Sequence, residues 1–130
     1  MPTHGIGVRD PHFSEMEWFG EHPDIPGMAT EDNMVIINPF MSMDEKKKQA
    51  IIQNETARAF MKKFNFRPNF HIHPEQMKYF STINKGKAYG SEQDIRETIV
   101  GRILSGDPSV TNVTPEQQIF VEILKSMLER

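Results

Sequence analysis

Apolar positions fall into two regimes along the chain. From residue 42 onward they recur at intervals of three and four between start and stop signals, which predicts helices. Before residue 34 they cluster without a period among prolines and glycines. Between the regimes, Met34, Val35, Ile36 and Ile37 form a short apolar run closed by Asn38 and Pro39. That run predicts a strand, because Pro39 cannot donate to a continuing ladder. One strand cannot form a sheet, so a second must come from the N-terminal segment, from residues 69–72 or from a partner.

The periodic region predicts four helices. The first opens at Ser42, with Glu45 three residues later as a capping box, and runs to about Phe64. Steps of about 100° place Ala50, Ala57, Phe60, Met61 and Phe64 on one face, with Ile51 at its edge. The second starts at Pro74 behind His73 as its cap, runs to about Ile83 and presents Met77, Phe80 and Ile83. A loop follows at 85–90. The third is capped by Ser91, buries Ile95, Ile99 and Ile103, and stops where Gly106 supplies a left-handed residue and Pro108 blocks continuation. The fourth opens with Thr114 as cap, Pro115 in the first turn and Gln117 completing a capping box, and buries Phe120, Ile123, Leu124, Met127 and Leu128. The fold class expected is mainly α (α+β), about four helices with one or two short strands and an extended N-terminal arm.

Composition narrows the class. The chain has 130 residues, 37% hydrophobic and 25% charged, with a mean hydropathy of −0.55. This fits one domain with a modest core. Cysteine is absent, which excludes disulfides, a thiol nucleophile, thiolate zinc sites and iron–sulfur clusters. No apolar run approaches the roughly 18 residues of a membrane span. The first residues lack the basic and apolar regions of a secretory leader, so the expected location is the cytoplasm, or a virion or host cytoplasm for a phage-encoded chain. A net charge of −3 argues against a basic nucleic-acid binder.

Charge divides the chain. Residues 1–33 carry seven acids (Asp10, Glu15, Glu17, Glu21, Asp24, Glu31 and Asp32) against one base, Arg9. Residues 34–130 carry 14 bases against 11 acids. The first segment also holds Pro2, Pro11, Pro23, Pro26 and four glycines, so long regular structure is not expected there. We therefore expect an acidic, Pro/Gly-rich arm at 1–33 and a small helical domain at 34–130. Phe13, Met16, Trp18 and Phe19 are costly to leave in water, each aromatic ring gaining roughly 1.5–3 kcal/mol on burial. The arm is expected to dock through them, onto its own domain or onto a partner. Phe13, Trp18 and Phe19 are the candidate partner-binding residues.

Within the first helix, Asn54 falls inside the apolar arc, with Arg58 one turn later near its edge and Glu55 three residues before it. A polar group in that arc must be hydrogen-bonded or costs roughly 1–3 kcal/mol. Asn54, Glu55 and Arg58 read as a polar clamp that holds the helix to a neighbour, or as the polar floor of a pocket. A short strand, a loop and a helix bearing Asn54-Glu55-Thr56-Ala57-Arg58 also resemble the active helix of the zincins, small zinc metallopeptidases whose helix carries His-Glu-x-x-His. The resemblance implies zinc held by the two histidines and water activated by the glutamate. Glu55 stands at the glutamate position, but Asn54 and Arg58 stand at the ligand positions, and a guanidinium has no lone pair for zinc. The pattern is that of a degenerate zincin-like motif. The stretches 36–39, 54–58 and 96–109 further resemble short uncharacterised proteins of bacteria and their tailed phages, which implies an origin and no function.

His71 and His73 straddle Ile72, and on a strand both rings would point one way and could share a metal, with Glu75, Glu55 or one of His4, His12 and His22 as the third ligand. The reading favoured by the sequence is a non-catalytic protein-interaction or structural module of phage or bacterial origin, with no cofactor and no metal. It would meet a protein partner or a second copy through the N-terminal arm. The alternative is a divergent metal-dependent hydrolase using Glu55 as base with His71 and His73 as ligands.

Overall fold

A computed structural model describes residues 4–83 and 91–130. The expected loop at 85–90 and the side chain of Ile83 lie outside the described residues. In chain order the elements are α1 (Phe13–Glu21), β1 (Gly27–Ala29), β2 (Val35–Ile37), α2 (Glu45–Lys63), α3 (Pro74–Ile83), α4 (Glu92–Leu104) and α5 (Pro115–Leu128). The fold is α+β and mainly helical, with five helices among the described residues rather than four. The fifth is α1, inside the segment expected to be irregular. Pro11 and Pro23 bracket this helix instead of breaking it, and the His12 backbone N–H donates to the Glu15 carboxylate at 2.7 Å to close its first turn.

The N-terminal segment supplies the missing strand. β1 and β2 are antiparallel, with Gly27 opposite Ile37, Met28 opposite Ile36 and Ala29 opposite Val35. The connection turns on Asn33, whose φ of 58° is a left-handed value asparagine tolerates. The Thr30 hydroxyl oxygen accepts the Met34 N–H at 3.1 Å. The far edge of β2 is covered by a parallel bridge to Val8, where the Arg9 N–H donates to the Val35 carbonyl at 3.0 Å. Residues 1–33 thus contribute β1 and the buried side chains of Ile6 and Phe19.

α2 is the central beam. It packs along both strands and crosses α4 most extensively, and α4 in turn meets α5. The core gathers Val35, Ala57, Phe60, Met61, Phe70, Phe80, Ile99, Val100, Val121 and Leu124. α2 begins two residues later than Ser42 would place it. Asp44 is the cap, its carboxylate accepting the Lys47 N–H at 2.7 Å. At its C-terminus Asn65 takes φ 50°, and the Phe66 N–H reaches the Met61 carbonyl at 3.0 Å. α4 ends the same way on Gly106, with the Asp107 N–H donating to the Arg102 carbonyl at 2.9 Å. Two expected core residues face outward. Phe64 sits past the last turn of α2, and Ile123 is displaced because α5 buries Gln117, Val121 and Leu124 instead. No helix among the described residues is long and apolar enough to cross a membrane.

Candidate functional site

α2 sends Glu55, Arg58 and Lys62 along one side, successive residues three and four apart, so they line a single strip of the helix. That strip forms one wall of an open cleft of about 530 Å³. Arg67, past the end of α2, also lines the cleft, in a segment held to α4 by the Gln93 side chain, which donates to the Pro68 carbonyl at 2.8 Å. β1 supplies Gly27, Met28 and Ala29, and α4 supplies Asp94 and Glu97 opposite. Both signs of charge therefore face one another across a space open to solvent.

The edge of β1 turned to this cleft is unpaired within the sheet. The Thr30 N–H donates to the Met34 carbonyl at 2.8 Å and the Asn38 N–H to the Pro26 carbonyl at 2.9 Å. This phase directs the main-chain groups of residues 26, 28 and 30 at β2, and those of Gly27 and Ala29 away from it. The Ala29 N–H is directed at Glu55. Burial raises the Glu55 pKa above its ordinary value, against the opposing pull of the Arg58 charge and of that N–H. Arg58 donates from Nη1 to the Thr98 hydroxyl at 2.8 Å, and Thr98 donates onward to the Asp94 carbonyl at 2.8 Å. Arg58 therefore ties α2 to α4 while lining the cleft. Arg67 approaches Glu97 at 3.8 Å within the cleft.

Asn54 behaves differently from its neighbours. It sits where α2 crosses α4, with its carboxamide over Gly101, so that a side chain at 101 would collide with it. Its Oδ1 is buried without a hydrogen-bond partner among the described residues. Glu55 and Arg58 share the cleft, and Asn54 does not line it.

The aromatic cluster of the N-terminal segment divides in two. Phe19 is fully buried, which removes it from any partner surface and corrects the expectation that it binds one. Trp18 is half-buried and stacks on the His22 ring at 4.2 Å. Phe13 is 77% exposed, and Met16 is exposed beside it one turn along α1. The orientation is enforced by Phe19 on the inner face and by Arg9, which grips the Glu15 carboxylate through two N–H groups at 2.7 and 2.9 Å and reaches Asp32 at 3.2 Å.

The histidine pair does not join the cleft. His73 caps α3, its Nδ1 accepting the Glu75 N–H at 3.1 Å. His71 is exposed, and its carbonyl accepts from Gln117 at 3.2 Å. Among the described residues no group of three His, Cys, Asp or Glu side chains is placed to hold a metal ion, so Glu55 does not assemble with His71 and His73. The segment 69–73 is not a strand of the sheet; Phe70 and Ile72 turn into the core between the exposed His71 and the capping His73.

Lys62, Arg67, Asp94 and Glu97 are site residues that sequence reasoning missed. The spacing of Arg58 and Lys62 was a usable signal for one wall. The opposite wall depends on how α4 crosses α2, which no local pattern records. Searches of known protein families, of curated proteins and of solved structures return no match to this chain.

Proposed function

We propose that the protein is an interaction module that meets a protein partner through the outer face of α1. The observation that supports this is the 77% exposure of Phe13 on a helix whose orientation is fixed from the other side. Steps of about 100° put Phe13, Met16, Glu17 and Gly20 on the face opposite Trp18 and Glu15. An anchored helix that holds an aromatic ring and a methionine in water displays contact area instead of burying it, and methionine adapts to varied surfaces. Asp10, Glu17 and Glu21 are exposed around this face. The partner that fits is a segment with apolar side chains flanked by lysine or arginine.

The test replaces Phe13 with a photo-crosslinking phenylalanine analogue in cells of the source organism, with the same analogue at exposed Ile119 of α5 as the control. A discrete adduct formed from position 13 and not from 119, and lost on adding Met16→Glu, is the expected result. Adducts of equal pattern from both positions, or none from position 13, would overturn the reading. Light scattering on the purified chain separates a second copy of the protein from a different partner. Truncation at residue 34 is not a usable control, because it would remove β1, Ile6 and Phe19 from the folded unit.

A further inference from the structure

We propose that the cleft between β1, α2 and α4 is a binding site for a small zwitterion of the amino-acid or short-peptide class. It shares no residue with the outer face of α1 and does not rest on the interaction reading.

The lining selects the ligand by its charge layout. Arg58 and Lys62 project from α2 with Glu55, Asp94 and Glu97 from α4, and Arg67 from the segment after α2 that lies against α4. Three bases and three acids make a site with no large net charge. A simple anion would meet carboxylates beside the bases that attract it, and a simple cation would meet the reverse. A molecule with a carboxylate at one end and an ammonium at the other can meet both signs at once. Lys62 and Asp94 form no side-chain ion pair with another described residue, so their charges are available. Arg58 commits Nη1 to Thr98 and keeps its charge at the cleft. The Arg67–Glu97 approach, at 3.8 Å, lies at the outer limit of an ion pair and is readily exchanged for a ligand.

Size and main chain agree with this assignment. A volume of about 530 Å³ lies within the range of small-molecule sites, roughly 300–1,000 Å³. The outward main-chain groups of Gly27 supply a donor and an acceptor on the unpaired edge of β1, suited to an amide or an α-amino acid backbone.

The experiment titrates the full-length ¹⁵N-labelled protein with the common free amino acids and with a set of dipeptides, following backbone amides. Each binder is then compared with its N-acetylated and C-amidated forms. The expected result is saturable shifts at Gly27, Ala29 and Arg58 with at least one zwitterion, and binding about tenfold or more weaker for either blocked form. Lys62→Ala and Asp94→Asn should each weaken binding by a similar factor while the unfolding temperature stays unchanged. Lys62 is exposed, so its variant keeps the test readable even if Asp94→Asn weakens the start of α4. No saturable shift at millimolar ligand from any member of the panel would overturn the proposal. So would blocked forms that bind as well as the parent, or shifts that map away from the cleft.

Discussion

Gln76 and Gln117 exchange hydrogen bonds across the interior, each side-chain amide donating to the other's oxygen at 2.8 Å. Each belongs to the first turn of a helix that opens with the same tripeptide, Pro74-Glu75-Gln76 in α3 and Pro115-Glu116-Gln117 in α5. Gln76 also accepts the His73 N–H at 3.0 Å and donates to the Thr111 carbonyl at 3.0 Å. Gln117 accepts the Thr114 N–H at 3.2 Å and donates to the His71 carbonyl at 3.2 Å. Both carboxamides therefore use their two N–H groups and both oxygen lone pairs, as a buried amide must. The pair joins two helix starts that are 41 residues apart in the chain.

Gln76→Leu or Gln117→Leu alone leaves the other amide buried and unpaired. Each should cost about 1–3 kcal/mol in urea denaturation. The double leucine variant should cost clearly less than the sum, because no orphaned carboxamide remains. Additive losses would show that the two glutamines act only as separate caps.

A second prediction concerns the crossing of α2 and α4. Gly101 lets the Asn54 carboxamide lie against the α4 backbone. Gly101→Ala gains helix propensity of about 1 kcal/mol. The collision with Asn54 should outweigh that gain and leave a net loss of about 1–2 kcal/mol. Adding Asn54→Ala removes both the obstacle and a buried oxygen that has no partner, so the double variant should recover most of the stability. Thermal unfolding of the three variants decides it.

These two features show what the sequence could and could not disclose. The start of α5 was legible because Thr114, Pro115 and Gln117 act within one turn. The stop of α4 was legible because Gly106 and its neighbours close a local hydrogen-bond pattern. The burial of Gln117 was not, since its partner lies in another helix. α1 was missed because Pro11, Pro23 and Pro26 read as breakers, whereas the nine residues of α1 contain no proline. For the candidate site, Glu55 and Arg58 stood out as charges near an apolar arc. Asp94 looks like an ordinary first-turn acid of α4, and Glu97 like a solvated acid one turn on, until the helix is laid across α2. Ile123 was placed inside because a helical wheel gives a face but not which edge of it the neighbours cover.

Arg58 and Thr98 provide a third prediction. Arg58→Ala should destabilise the fold by more than about 1 kcal/mol, since it removes a bond between α2 and α4 and packing from the cleft wall. Thr98→Val should cost less, and a double-mutant cycle should return a coupling of about 1 kcal/mol. A coupling near zero would mean that the arginine acts through its charge in the cleft and not through Thr98.

The pH dependence of stability should carry two opposed contributions in separate windows. Arg9 holds the Glu15 and Asp32 carboxyls down at about 2, chiefly through its side-chain hydrogen bonds. A depressed carboxyl stabilises the fold above its ordinary value near 4 and loses that contribution as pH falls toward 2. Arg9→Met should therefore flatten the acid side of the stability profile. Glu55 works the other way. Burial raises its pKa, so it favours the fold while protonated, and that contribution fades as pH rises from the ordinary carboxyl value through the raised one. Glu55→Gln should leave the acid side untouched, abolish the decline above about pH 4.5 and make the protein more stable than the parent at neutral pH. Urea midpoints measured from pH 2 to 8 on the parent and both variants test the two windows independently. If Glu55→Gln instead lowered neutral stability, the attraction of Arg58 and the Ala29 N–H would outweigh the burial of the carboxylate, and the ionised form would be the one the cleft is built to hold.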